Sequence, residues 1–227
     1  MGVMSLFDNA ARNTKAGLKK AKLKTNNALL ERQITSRKKV FGIEAYDTIS
    51  CFTTRQDFYA ANETWIAALR APLITADREV RALNNKKAKA EENLNIVEMR
   101  KQSDKELIRQ NPPTNFKDRM GNFSKRSQLA GHQAKYNTNL GVANVQIRAA
   151  KEEFGLVLFP ILGAMFVESM GEHEDDKENS SWLPDNDPTH PNILKKNLKS
   201  VYEVCAADIA KLQREIVSNR QQMDEMS

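Results

Sequence analysis

Two clusters of basic side chains with apolar residues set among them carry the chemistry this sequence offers. The first is Lys15, Lys19, Lys20, Lys22 and Lys24, preceded by Leu6 and Phe7 and interleaved with Leu18. Leu6, Phe7, Ala10, Ala11, Leu18 and Ala21 fall on one side at helical spacing, and the lysines surround or oppose them. From Met1 to Val40 ten Lys/Arg face two acids, Asp8 and Glu31, whereas the whole chain carries only +6, so the positive charge belongs to the opening. The second cluster is Arg100, Lys101, Lys105, Arg109, Lys117, Arg119, Lys125 and Arg126, eight cations against three acids, with Phe116 and Phe123 among them. Such patterns make and break no bonds. They attract anions and offer apolar side chains to an interface, as a basic amphipathic helix does at an anionic lipid surface. Each lysine near such a surface adds about 1 kcal/mol. Basic residues interleaved with aromatics also fit nucleic acid. The plain alternatives are a solvated basic face on a bundle helix and, for the second cluster, a solvated loop with two locally buried phenylalanines. An organellar presequence would favour Arg over these lysines and show a small-residue cleavage site, and Ser5 stands one position too early for myristoylation.

Catalytic and metal chemistry find little to work with. His132, His173 and His190 are scattered, with no Cys, Asp or Glu at structural-zinc spacing. His173-Glu-Asp-Asp lacks the glycine turn and spacing of a calcium loop. There is no glycine-rich phosphate loop, no dinucleotide fingerprint and no Gly-x-Ser-x-Gly. The expectation is a non-enzymatic protein without metal or cofactor. Cys51 and Cys205, far apart in apolar-periodic stretches, read as free buried thiols in a reducing compartment. The opening has no secretory apolar region, so the sequons at Asn62, Asn122 and Asn179 read as accidental and the expected location is cytoplasmic, peripheral to membrane. No apolar run reaches the roughly 18 residues of a spanning helix. Phe154 to Val167, which contains Pro160, reads as a core segment.

The elements that must hold these clusters are helices. Aromatics at 7%, seven Pro and nine Gly disfavour a β-sandwich. A mean hydropathy of −0.61 suits helices that each contribute only a seam. The reading is all-α: an elongated antiparallel bundle or coiled coil of three to four long helices. The first runs from Met1 to about Phe52, with a weak seam at Phe7, Ala11, Thr14, Leu18, Ala21, Thr25 and Ala28 that re-phases to Leu30, Ile34, Arg37 and Phe41. Residues 1–27 form a basic amphipathic segment and residues 28–227 the bundle. Thr53 or Thr54 offers an N-cap for a second helix, about Arg55 to Arg109, with Phe58, Trp65 and Leu69 in the core and Pro72 as a kink or break. Its distal seam is Val80, Leu83, Lys87, Ala90, Leu94, Val97, Lys101 and Ile108. Asn111-Pro-Pro-Thr-Asn-Phe is a turn. A third helix, from Asp118 or Ser124 to Met170, places Leu129, Gln133, Tyr136, Leu140, Ala143, Ile147, Ala150, Phe154, Val157 and Ile161 in its seam, with a kink at Pro160. Residues 171–191 carry seven acids against one Lys and read as a mobile acidic loop. A fourth helix follows from near Pro191, presenting Leu194, Leu198, Val201, Cys205, Ile209, Leu212 and Ile216, then fraying from Ser218.

A basic amphipathic opening, long proline-bearing helices and a charged hairpin tip together resemble the BAR-type proteins, an architectural likeness over most of the chain. That resemblance implies an antiparallel coiled coil, a crescent homodimer and binding to anionic membranes. The Lys15–Lys24 group would be the amphipathic segment, the Arg100–Arg126 group the arm tip, and Pro72 and Pro160 the bends. The long acidic loop and the short fourth helix depart from the pattern. The leading expectation is therefore peripheral membrane binding in membrane shaping or trafficking. The alternative is a soluble coiled-coil scaffold for a protein partner along the third and fourth helices; nucleic acid ranks third.

Overall fold

The computed structural model describes residues 3–50, 64–168 and 191–226, with side chains over 15–50, 66–166 and 193–226. Among the described residues there are four helices and no strand: α1 (Val3–Ser50), α2 (Thr64–Gln110), α3 (Phe116–Glu168) and α4 (Pro191–Asp224). The fold is an all-α helical bundle. The chain divides into two compact units, one made of Met1–Pro72 and Glu152–Ser227, the other of Leu73–Lys151. Both interior prolines lie within unbroken helices, so Pro72 marks no interruption of α2. A helix-interior proline costs about 3 kcal/mol through its missing donor and the crowded turn before it. Here the flanking turns offset that cost by burying Leu69 and Leu73 around Pro72, and Leu158 and Leu162 around Pro160. Residues 171–190 of the acidic loop expected at 171–191, the capping Thr53 or Thr54, Cys51, Phe58, His173 and His190 lie outside the described residues, as does the side chain of Trp65, while Pro191 already opens α4.

In the first unit α1 and α4 run antiparallel. Asn27 pairs with Asn219, Glu31 with Arg220, and Arg37 with Asp208, so numbers rise on one helix as they fall on the other. The buried side of α1 is Asn27, Leu30, Phe41, Ala45 and Ile49, with Leu23, Ile34 and Lys38 half-buried. The second half matches the periodic reading at Leu30, Ile34 and Phe41, but Arg37, expected in the seam, is exposed and reaches Asp208 at 3.2 Å instead, because its guanidinium stays at the wet edge of the packed face. The first half does not match it: Leu18, Ala21, Thr25 and Ala28 are exposed, and the seam instead passes through Leu23 and Asn27. Small alanines suggested an apolar face that α4 does not cover. The polar Asn27 is buried because Asn219 Nδ2 donates to its Oδ1 at 2.8 Å. A buried amide pair of this kind is tolerated only when hydrogen-bonded, and it then fixes the register of the two helices. The same pairing keeps α4 helical to Asp224, where fraying from Ser218 was expected.

Around Phe41 the core of the first unit is built on aromatic rings. Phe41 meets Phe159 edge-on at 5.5 Å and Tyr202 at 6.3 Å, while Tyr46 meets Phe154 at 5.9 Å. Tyr202 also touches Phe159 and Phe166. These rings reach one another because α1 and α3 cross with backbones in contact. A Cβ on Gly155 would strike the Gly42 backbone and the Lys38 carbonyl. The seam of α3 shifts here, with Val157 exposed and Ile161 half-buried, while Phe154, Leu158, Leu162 and Phe166 are buried. A strict 3–4 spacing drifts by about 20° per heptad against an ideal helix. Extrapolated from Leu129, it arrives one position off.

The second unit is a hairpin of α2 and α3. Val80, Leu83, Ala90 and Val97 are buried, as are Ala143 and Ala150, and Lys87, Leu94, Lys101 and Ile108 are half-buried, in the expected phase. Lys101 Nζ donates to Gln133 Oε1 across this seam. At the turn, Asn115 Oδ1 accepts from the Asp118 amide at 2.8 Å. That is an N-cap, and it starts α3 at Phe116 rather than at Asp118 or Ser124.

Candidate functional site

The hairpin tip gathers exposed apolar and basic side chains. Phe116, Met120 and Phe123 are 78%, 53% and 70% exposed. Their spacing of four then three sets them in one stripe along the first turns of α3. Lys117 flanks the stripe on one side and Arg119 and Arg126 on the other, all exposed. Leu107 and Met99 of α2 are exposed as well. The tip is therefore not a solvated loop over two buried rings. Asn115 fixes the start of the helix, and the helix fixes the stripe, so the aromatic side chains are presented by backbone that is already ordered. Sequence reasoning named Phe116 and Phe123 but missed Met120 and Leu107. The signal for Met120 was its place between the two rings at helical spacing.

Not every basic residue of the cluster is available. Arg100, Lys105, Lys117, Arg119, Lys125 and Arg126 are exposed. Arg109 is exposed beside Glu106 at 3.9 Å, an i,i+3 pair of little energetic weight in water. Lys101 is half-buried and committed to Gln133, so it belongs to the hairpin seam and not to the tip surface.

The N-terminal cluster sits on the first unit. Lys15, Lys19, Lys22 and Lys24 are exposed and Leu18 is 66% exposed. Lys20 is half-buried and already engaged with a neighbour. Leu18 lies roughly 180° around α1 from Asn27 at 100° per residue, directly away from α4. Leu29 continues that outward face. The side chains of Leu6 and Phe7 lie outside the described residues, although both fall within α1.

Cys205 is a buried free thiol whose Sγ lies 3.6 Å from the Arg37 carbonyl oxygen. Burial pushes it up to about 11. Burial also raises Tyr202, with Cys205 nearby adding to the shift. Among the described residues no group of His, Cys, Asp or Glu is placed to hold a metal ion, and no helix is long and apolar enough to cross a membrane. Comparison with protein-family models, with curated proteins and with solved structures returned no match.

Proposed function

We propose that this chain is a non-enzymatic peripheral protein of anionic membranes, acting in membrane shaping or trafficking. The observation that carries the reading is the exposed Phe116–Met120–Phe123 stripe flanked by Lys117, Arg119 and Arg126. Burying a phenylalanine that water would otherwise surround is worth about 1.5–3 kcal/mol. Each cation at an anionic surface adds about 1 kcal/mol. The two contributions are of similar size, so charge draws the tip to the surface and the rings retain it. Lys15, Leu18, Lys19, Lys22 and Lys24 on α1 offer a second contact of the same composition. Dimerisation of the BAR type is part of this reading, and light scattering at twice the chain mass is its test.

Co-sedimentation with liposomes of graded anionic content tests the binding itself. Wild-type protein should pellet increasingly with anionic lipid. Phe116→Ser/Phe123→Ser, with every lysine and arginine kept, should lose most of that binding. Binding unchanged by the double substitution would remove the tip from the account, and binding to no liposome would sink the reading. A scaffold role is favoured by a different observation, the outward Val142 and Val145 of α3 and Val204 and Val217 of α4. It takes precedence if liposomes are not bound.

A further inference from the structure

One flank of the α2–α3 hairpin holds a cleft of about 260 Å³. Arg100, Ser103 and Asp104 line it from α2, and Lys125, Gln128 and His132 line it from α3, over a half-buried Leu129. The spacing explains the convergence. Residues three, four and seven apart share a helix face, and the two faces meet because the helices are antiparallel. We infer that this cleft binds a phosphorylated polyol, with Arg100, Lys125 and His132 around a phosphate and Asp104 at the hydroxyls.

Each side chain matches a feature of that ligand. Arg100 offers a planar fork and Lys125 a mobile point charge, the two common ways of holding phosphate oxygens. The His132 imidazole supplies a ring N–H in either protonation state. Its ring lies near-parallel to that of Tyr136, with centroids 6.4 Å apart, and this helps to orient it. Among the described residues neither Arg100 nor Lys125 is held in an ion pair, so their charges are available. Asp104 decides the class. A carboxylate repels a bare phosphate or a polyphosphate backbone but accepts from hydroxyl groups, which a polyol phosphate carries beside its phosphate. Ser103 and Gln128 donate and accept, which suits the same mixture. The volume lies just below the roughly 300 Å³ at which pockets for drug-sized ligands begin, so a compact headgroup fits.

The cleft goes beyond the membrane reading. Lys125 lies roughly 200° around α3 from Phe123 at 100° per residue, so the cleft and the aromatic stripe occupy different sides of the helix. A lipid headgroup and a free phosphorylated polyol share the chemistry that the cleft selects, and the experiment separates them.

Titration of the full chain with inositol trisphosphate, followed by calorimetry, should show saturable binding. Arg100→Gln/Lys125→Gln should weaken it roughly tenfold or more, the effect of losing charge-assisted hydrogen bonds. Phe116→Ser/Phe123→Ser should leave it unchanged. Asp104→Asn should tighten binding of inorganic phosphate while narrowing the preference for inositol trisphosphate. Absence of saturable binding would overturn the inference. So would binding indifferent to Arg100→Gln/Lys125→Gln, or an Asp104→Asn variant that tightens both probes equally. For the source, vesicles containing a phosphoinositide are compared with phosphatidylserine vesicles of matched charge. A phosphoinositide preference abolished by Arg100→Gln/Lys125→Gln supports a lipid headgroup. Soluble binding without that preference supports a free ligand. Vesicle binding lost only in Phe116→Ser/Phe123→Ser, with no uptake of inositol trisphosphate by the wild type, would overturn the cleft and leave the membrane reading standing.

Discussion

Gly155 is a position at which one added methyl group should do marked damage. Added there, it would fall against the Gly42 Cα, the Gly42 amide nitrogen and the Lys38 carbonyl oxygen, closer than non-bonded atoms sit. All three are backbone atoms, so no rotamer change relieves the clash, and α1 and α3 must move apart. Overpacking of this kind costs roughly 1–3 kcal/mol. The separation also loosens the Phe41–Phe159 and Tyr46–Phe154 edge contacts, at 5.5 and 5.9 Å. Such pairs contribute about 0.5–1.5 kcal/mol each. Against these losses, Ala is better than Gly in a helix interior by about 1 kcal/mol. The expected net effect of Gly155→Ala is a loss of about 1–5 kcal/mol, according to how far the ring contacts open. Gly141→Ala isolates the opposing effect, because a Cβ there meets nothing within 4 Å. It should gain about 1 kcal/mol. Urea denaturation followed by circular dichroism reads both, with the slope m compared to check that the transition keeps its character. In a chain of this size each kcal/mol corresponds to about 2–4 °C in the thermal midpoint. Equal stability of the two variants would refute the backbone-contact reasoning.

Three further outcomes follow from the same contacts. Replacing Asn27 by Leu leaves the Asn219 amide buried without its partner and should cost about 1–3 kcal/mol, while Asn27→Leu/Asn219→Leu should recover most of that; a denaturation cycle in which the single losses simply add would show that the pair is not coupled. Cys205 has its thiol raised from 9.0 to about 11. A raised folded value contributes stability that is complete below about pH 9 and lost as pH rises toward 11, so alkaline destabilisation should be shallower in Cys205→Ala, and identical pH profiles would contradict it. Lys15→Glu/Lys19→Glu/Lys22→Glu should keep wild-type stability, since these side chains are exposed, yet lower liposome binding at low salt; unchanged binding would remove the α1 cluster from the membrane contact.

Periodicity made the helices and most of their seams legible. The distal seam of α2 and the seam of α4 follow it because each runs along an antiparallel helix, α3 and α1 respectively, with seam residues at regular steps. Asn27 was missed because a buried amide looks like a surface residue until its partner, 192 positions later, is known. Gly155 was missed for the same reason: its close approach to Gly42 is a property of a crossing and not of a local pattern. At the tip, charge and aromatic residues could be read from composition, but which cations face water could not. Lys101 differs from Arg100 only by one step around the helix, and that step places it against Gln133. The flank cleft joins two sets of residues about 25 positions apart, each unremarkable alone.

The central claim is that Phe116 enters lipid. The direct measurement is fluorescence of Phe116→Trp in the full chain on anionic vesicles whose acyl chains are brominated, with the wild-type signal from Trp65 and Trp182 subtracted. The account predicts quenching of the added tryptophan that rises with anionic lipid content and is absent for Val145→Trp, away from the tip. A vesicle-bound Phe116→Trp protein quenched no more than Val145→Trp would contradict it.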